Sequence, residues 1–197
     1  MSSVNTNPDV KRIMSFWFDR NPIEWIIAPE GLDSQIKTDF GDLVLKARRN
    51  ELDDWNTESP ESSVALVVLL DQFCRNIFRG TPDAFSGDAK AHEVATKAIA
   101  RGFHKQVTVI QTSAFYMSLL SSESLIFIVA ARCLWDELKT RCETKQEHDW
   151  VDMGIKGTDR HMEQLDQFGR YPTRNKLLGR ENTEAEEKFL KEYNPTL

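Results

Sequence analysis

The sequence predicts an all-α protein of antiparallel helical hairpins. Three observations carry that expectation. Nearly every segment of any length repeats its apolar residues at three- and four-residue spacing. Cap residues, prolines and glycines punctuate those segments where helices start and stop. The one short β-like run, Val107 to Ile110, has no partner strand.

In chain order, Asn7 caps and Pro8 opens a first helix, whose stripe is Val10, Ile13, Met14 and Trp17 and which ends near Phe18. Leu32, Ile36, Phe40, Leu43 and Ala47 mark a second, with Gly41 inside it. Ser59-Pro60 opens a third, in which Val64, Leu66, Val67, Leu69, Leu70, Phe73 and Ile77 cover more than one face, so this helix belongs at the centre. Gly80 stops it, and Thr81-Pro82 restarts a short turn through Phe85. A fourth helix runs from Asp88 to Arg101 on small residues, with Gly102 as its stop. Further helices are expected over Gln111 to Leu120, from a Ser122 cap to Leu138, and from Asp149 to Phe168 across Gly154 and Gly157. Thr183 and Glu186 form a capping box for a last helix.

A chain of 197 residues fits a single all-helical domain, 1–197, with a core large enough to need no disulfide or metal. The formal net charge of −6 argues against nucleic acid as a partner. Three cysteines without a CxxC pair suit reduced thiols, and no apolar run approaches the ~20 residues of a membrane span. With no basic, apolar leader in MSSVNTNPDV, the expectation is a soluble, cytoplasmic protein with no membrane association.

Two arginine-rich blocks stand out: LLDQFCRNIFRGTPDAF, Leu69 to Phe85, and FGRYPTRNKLLGRENTEAEEKFL, Phe168 to Leu190. Arginine carries a rigid fork of donors matched to carboxylate or phosphate, so these residues either lock the fold through ion pairs or line an anion site. Asp71, Arg75 and Arg79 fall at i, i+4 and i+8, beside Gln72 and Asn76. They form either a clamp, in which Asp71 orients Arg75 or acts as a base, or a helix-spaced ion pair. Arg170, Arg174 and Asn175 lie on an irregular segment after Gly169, placed to bind a ligand or to bond helix carboxyl ends. Arg180 precedes a helix start and fixes the loop. His161 is the candidate general acid or base, with a structural role as the alternative. His92, His104 and His148 read as surface residues. Trp17, Trp25 and Trp55 read as core, with a stacking wall for a ligand as the other role of Trp17.

These blocks, with FWF at Phe16 to Phe18, LDDW ending at Trp55 and FYMSLLSSE ending at Glu123, resemble the uncharacterised domain-of-unknown-function family 924. The resemblance implies a tetratricopeptide-repeat-like helical fold and a shared polar pocket, and it brings Glu123 into that pocket. No established reaction comes with it. Where the family pattern has proline-x-x-histidine-serine-glutamate, this chain has Ser118 and Ser121 in place of the proline and histidine. Thr173 stands where the second block has another histidine, while His161 matches a family histidine.

The expected function is therefore a small-molecule enzyme or binding protein with an anion held by Arg75, Arg79, Arg170 and Arg174 and oriented by Asn76 and Asn175. His161, Asp71 or Glu123 would transfer protons in an isomerisation, cyclisation, dehydration or hydrolysis, with no cofactor and no metal. The rival expectation is a helical scaffold binding a protein segment, with the arginines architectural. A minor alternative is magnesium-diphosphate chemistry at Asp53-Asp54, in a loop with no second acidic motif facing it.

Overall fold

The computed structural model describes residues 7–193, and among these there are helices and turns but no strand. Helix α1, Pro8–Phe18, begins at Asn7, whose side chain accepts from the amides of Asp9 and Val10. One-turn helix α2, Ile23–Ile26, and α3, Leu32–Arg48, follow. A second one-turn helix, α4, Trp55–Glu58, occupies the segment expected to be loop. Ser59 and Ser62 then form a reciprocal capping box for α5, Pro60–Val67.

The expected third helix is continuous in space but not uniform. After α5 the turns widen into a π segment over Val68–Phe73 and tighten again into α6, Cys74–Ile77. Such widened turns recur at functional sites. Residues Val64 to Leu70 are essentially inaccessible on every face, which fixes this helix at the centre of the core.

A 3-10 turn, Pro82–Phe85, leads into α7, Asp88–Ala100. Thr108 and Gln111 box the start of α8, Val109–Leu120, so the β-like run opens a helix instead. Ser122 is not the next cap: α9, Leu125–Lys139, begins after Ser124, whose side chain makes no capping bond. Thr144 and Glu147 start α10, Lys145–Phe168, four residues before the expected Asp149, and the helix runs unbroken across Gly154 and Gly157. A 3-10 turn at Pro172–Arg174 and the capping-box helix α11, Glu184–Glu192, complete the described chain.

Neighbouring helices pack in sequence, α7 on α8, α8 on α9 and α9 on α10, while α3, α5 and the π segment form the layer beside them. One buried cluster runs from Val10 on α1 to Val151 on α10, and a small satellite of Ile128, Leu165 and Tyr171 lies under the second arginine block. Trp17 is fully buried, stacked on Trp25 with ring centroids 5.5 Å apart and edge-on to Phe73 at 5.2 Å. It is core and cannot wall a ligand site, which corrects the second role considered for it. His104 is also buried, not on the surface.

Two glycines set the spacing between helices. At Gly87 a Cβ would lie 2.1 Å from the Leu70 carbonyl oxygen, so only glycine lets the start of α7 touch the π segment. At Gly154 a Cβ would lie 2.6 Å from the Trp135 ring, while at Gly157 it would meet nothing within 4 Å. Gly154→Ala should therefore lower stability by about 1–3 kcal/mol through overpacking. Gly157→Ala should leave it unchanged or raise it by up to ~1 kcal/mol through helix propensity. Urea denaturation of the two variants checks the contrast.

Candidate functional site: two arginines on one carboxylate

Arg75 projects from α6 and Arg174 from the 3-10 turn of the second block, and they converge on Asp88 at the first position of α7. The Arg75 Nη2 donates to Asp88 Oδ1 at 2.7 Å, and the Arg174 Nη1 donates to Asp88 Oδ2 at 3.3 Å. Asp71, buried in the π segment, accepts from Arg75 Nε at 3.2 Å and from the Ser121 hydroxyl at 2.7 Å. Ser121 in turn accepts from Arg75 Nη2 at 2.7 Å, and its carbonyl accepts from Arg174 Nη1 at 2.9 Å. Aromatic faces back the charges. The Phe85 ring lies 5.4 Å from the Arg75 guanidinium and 4.7 Å from that of Arg174, and Tyr171 lies 4.9 Å from Arg174.

These bonds do not use all the donors. Arg75 Nη1 and the Nε and Nη2 of Arg174 have no acceptor among the described residues, although the two side chains are only 26% and 14% exposed. His161 on α10 meets Tyr171 edge-on, with centroids 5.1 Å apart. Its Nδ1 lies 2.7 Å from the Gly157 carbonyl, an acceptor only, so Nδ1 carries the proton and Nε2 presents a lone pair. Burial holds the His161 pKa below the ordinary imidazole value. The Gly157 carbonyl opposes this, and the charges of Arg174, Arg75 and Arg160 add to it. The ring is neutral at pH 7.

Burial pushes the Asp88 carboxyl up to about 6; Arg75 opposes the rise, Asp71 adds to it and Arg174 opposes it. His92 also belongs to this neighbourhood and not to the surface assigned to it. It stacks on Phe127 at 5.6 Å, its Nε2 is buried without a hydrogen bond, and burial lowers its pKa, with Asp71 opposing. Asp88 and His92 were missed as site residues. Asp88 reads as an ordinary acidic helix start, and His92 lies among the alanines and charges of α7 with nothing nearby in sequence to mark it.

The other candidates fall elsewhere. Arg79, 58% exposed, pairs with both oxygens of Asp33 at 2.6 and 3.0 Å, and Asn76 donates to the same carboxylate at 2.7 Å. That group borders a separate surface cleft of about 410 Å³ lined by Ala28, Gly31 and Ser34. That cleft holds a solvent-exposed ion pair and no aromatic wall, whereas the Arg75–Arg174 pair is backed by Phe85 and Tyr171. Arg170 is bidentate to Glu186, 2.7 and 2.8 Å, tying the second block to α11. Arg170's hydrogen bonds hold the Glu186 carboxyl well below the usual range.

Asn175 is fully buried and donates to Asn182, so it shapes the loop. Glu123 is a clamp and not a proton shuttle. It accepts from Arg180 at 2.7 and 2.9 Å and from the Tyr171 amide at 2.8 Å. Burial pushes its pKa up, but the Arg180 hydrogen bonds, the Tyr171 amide and the charges of Arg180 and Arg174 outweigh burial and leave it lowered. Asp53 pairs with Lys90 at 2.8 Å, and no group of three or more His, Cys, Asp or Glu poised to hold a metal occurs among the described residues.

Asp88 has a signature in stability. Its folded pKa is raised, so between about pH 4 and pH 6 the folded chain binds more protons than the unfolded one, and this group's contribution is lost as pH rises through that window. His161 has the opposite sign: its pKa is lowered, so its contribution is lost as pH falls through the imidazole range. Relative to wild type, Asp88→Asn should therefore gain stability from pH 4 to pH 6, as measured by urea unfolding across pH.

No curated protein matches the chain, and no helix of the described residues is long and apolar enough to cross a membrane. A solved structure of a protein of unknown function from Agrobacterium tumefaciens is similar, at 32% identity and a TM-score of 0.81, with 93% of this chain and 97% of that one covered. The family model for bacterial proteins of unknown function, DUF924, matches residues 13–194, and the chain belongs to that family.

Proposed function

We propose that the protein binds a small organic anion between Arg75 and Arg174 and acts on it by acid–base chemistry without a cofactor. The observation that carries this reading is that two largely buried guanidinium groups, one from each block, share one carboxylate and still keep donors without protein acceptors. Partly desolvated arginine forks bind carboxylate or phosphate oxygens strongly and with defined orientation. Neutral His161, with a free Nε2 beyond Tyr171, and Asp88, with its pKa near 6, supply groups suited to proton transfer near neutral pH. Isomerisation, cyclisation, dehydration and hydrolysis all fit that inventory.

A second reading, a scaffold for a protein segment, is favoured by the exposed apolar start of α9, where Leu125, Ile126 and Val129 are 43%, 72% and 41% accessible. A thermal-shift screen against carboxylates and phosphates separates the two, run on wild type, Arg174→Ala and Arg180→Ala. A ligand at a hundred times its Kd adds about 2.7 kcal/mol to the native state, a rise of roughly 5–10 °C for a chain of this size. That rise should vanish in Arg174→Ala and persist in Arg180→Ala, which breaks the Glu123 clamp and a bond to the Tyr171 carbonyl but leaves both forks in place. A ligand that shifts Arg174→Ala as much as wild type would sink the anion-site reading. Absence of any ligand shift, with Arg174→Ala itself melting much earlier, would favour the scaffold.

A further inference from the structure

Resting on the anion-site reading, the geometry points to a proton-coupled site. We infer that an anion entering between Arg75 and Arg174 takes the place of Asp88 on the two guanidinium groups, and that Asp88 then binds a proton, one per anion bound. Asp88 is the internal stand-in for the ligand. It is the carboxylate that both forks already hold, and any incoming oxyanion that engages both must compete with it.

Charge balance dictates the rest. Arg75 and Arg174 are paired with Asp71 and Asp88. An added anion leaves three negative groups around two positive ones in a place where Asp71 is 1% and Asp88 11% exposed at the side chain. Uncompensated charge is costly at low dielectric, and carboxylates crowded together relieve it by taking up a proton. Asp71 keeps its Arg75 Nε and Ser121 hydroxyl donors, neither of which the anion needs. Asp88 would lose the donors that favour its ionised form, and burial already favours its neutral form.

The remaining titratable neighbours are few. His92 faces the cluster from α7 itself, and His161 faces it from α10, with its Nδ1 committed to the Gly157 carbonyl. Glu123 on the far side of Arg174 is clamped by Arg180 and carries a lowered pKa, so it stays ionised.

The test is calorimetric titration with sulfate and with benzoate, whose charges stay constant from pH 6 to pH 8, in two buffers of different protonation heat. Wild type should take up close to one proton per anion at pH 7, and binding should weaken roughly tenfold per pH unit above the free-site pKa. Asp88→Asn should bind either probe with no uptake and a flat pH profile, while His161→Asn should keep the uptake. Infrared difference spectra of wild type provide a measurement that needs no variant: anion addition should raise a protonated-carboxyl C=O band. Binding without proton uptake in wild type would overturn the inference and leave the anion site standing. Equal uptake in Asp88→Asn would overturn it too, placing the proton on an imidazole. Failure of both probes to bind wild type at any pH would remove the anion-site reading itself.

Discussion

The structure turns on one shared carboxylate. Asp88 is where residues almost a hundred positions apart in the chain, Arg75 and Arg174, come within hydrogen-bond distance of one group. Its position follows from Gly87, which lets α7 start against the Leu70 carbonyl of the π segment. The π segment also holds Asp71, the second anion on Arg75. A close helix contact, a widened turn and a pair of guanidinium groups are thus parts of one arrangement.

Burying four charged groups together is not an economical way to stabilise a helical bundle, since the desolvation of each ion offsets much of the attraction between them. The peripheral pairs look different. Arg170–Glu186 and Arg180–Glu123 are two-bonded clamps that hold the second block against α11 and the α8–α9 connection. In each, one arginine places two donors on one carboxylate, whereas at the centre two arginines share Asp88. That difference separates the residues that build the loop from those available to a ligand.

Much of the fold was legible in the sequence because it is written locally. Asn7-Pro8, Ser59-Pro60 and the Thr183 box each act within four residues, and each starts a helix where expected. The π segment was not legible. Where every face from Val64 to Leu70 is apolar, a widened turn leaves the pattern of burial unchanged. One-turn helices α2 and α4 are too short to show a period. The site was half legible. Arginine chemistry marked Arg75 and Arg174, and the spacing paired Asp71 with Arg75. Sorting them from Arg79, Arg170, Asn175 and Glu123 required long-range partners, Asp33, Glu186, Asn182 and Arg180, that no local spacing reveals. Asp88 and His92 escaped notice because each looks ordinary on its own helix.

If the unpaired edges of Arg75 and Arg174 together form an anion site, they should hold a halide, and anomalous diffraction from crystals soaked in bromide would locate it. A bromide peak should appear within hydrogen-bond reach of Arg75 Nη1 and Arg174 Nη2, above the Phe85 ring, with Asp88 drawn away from one or both arginines. Bromide bound elsewhere on the surface, with the Arg75–Asp88–Arg174 bonds intact and nothing between the two forks, would contradict it.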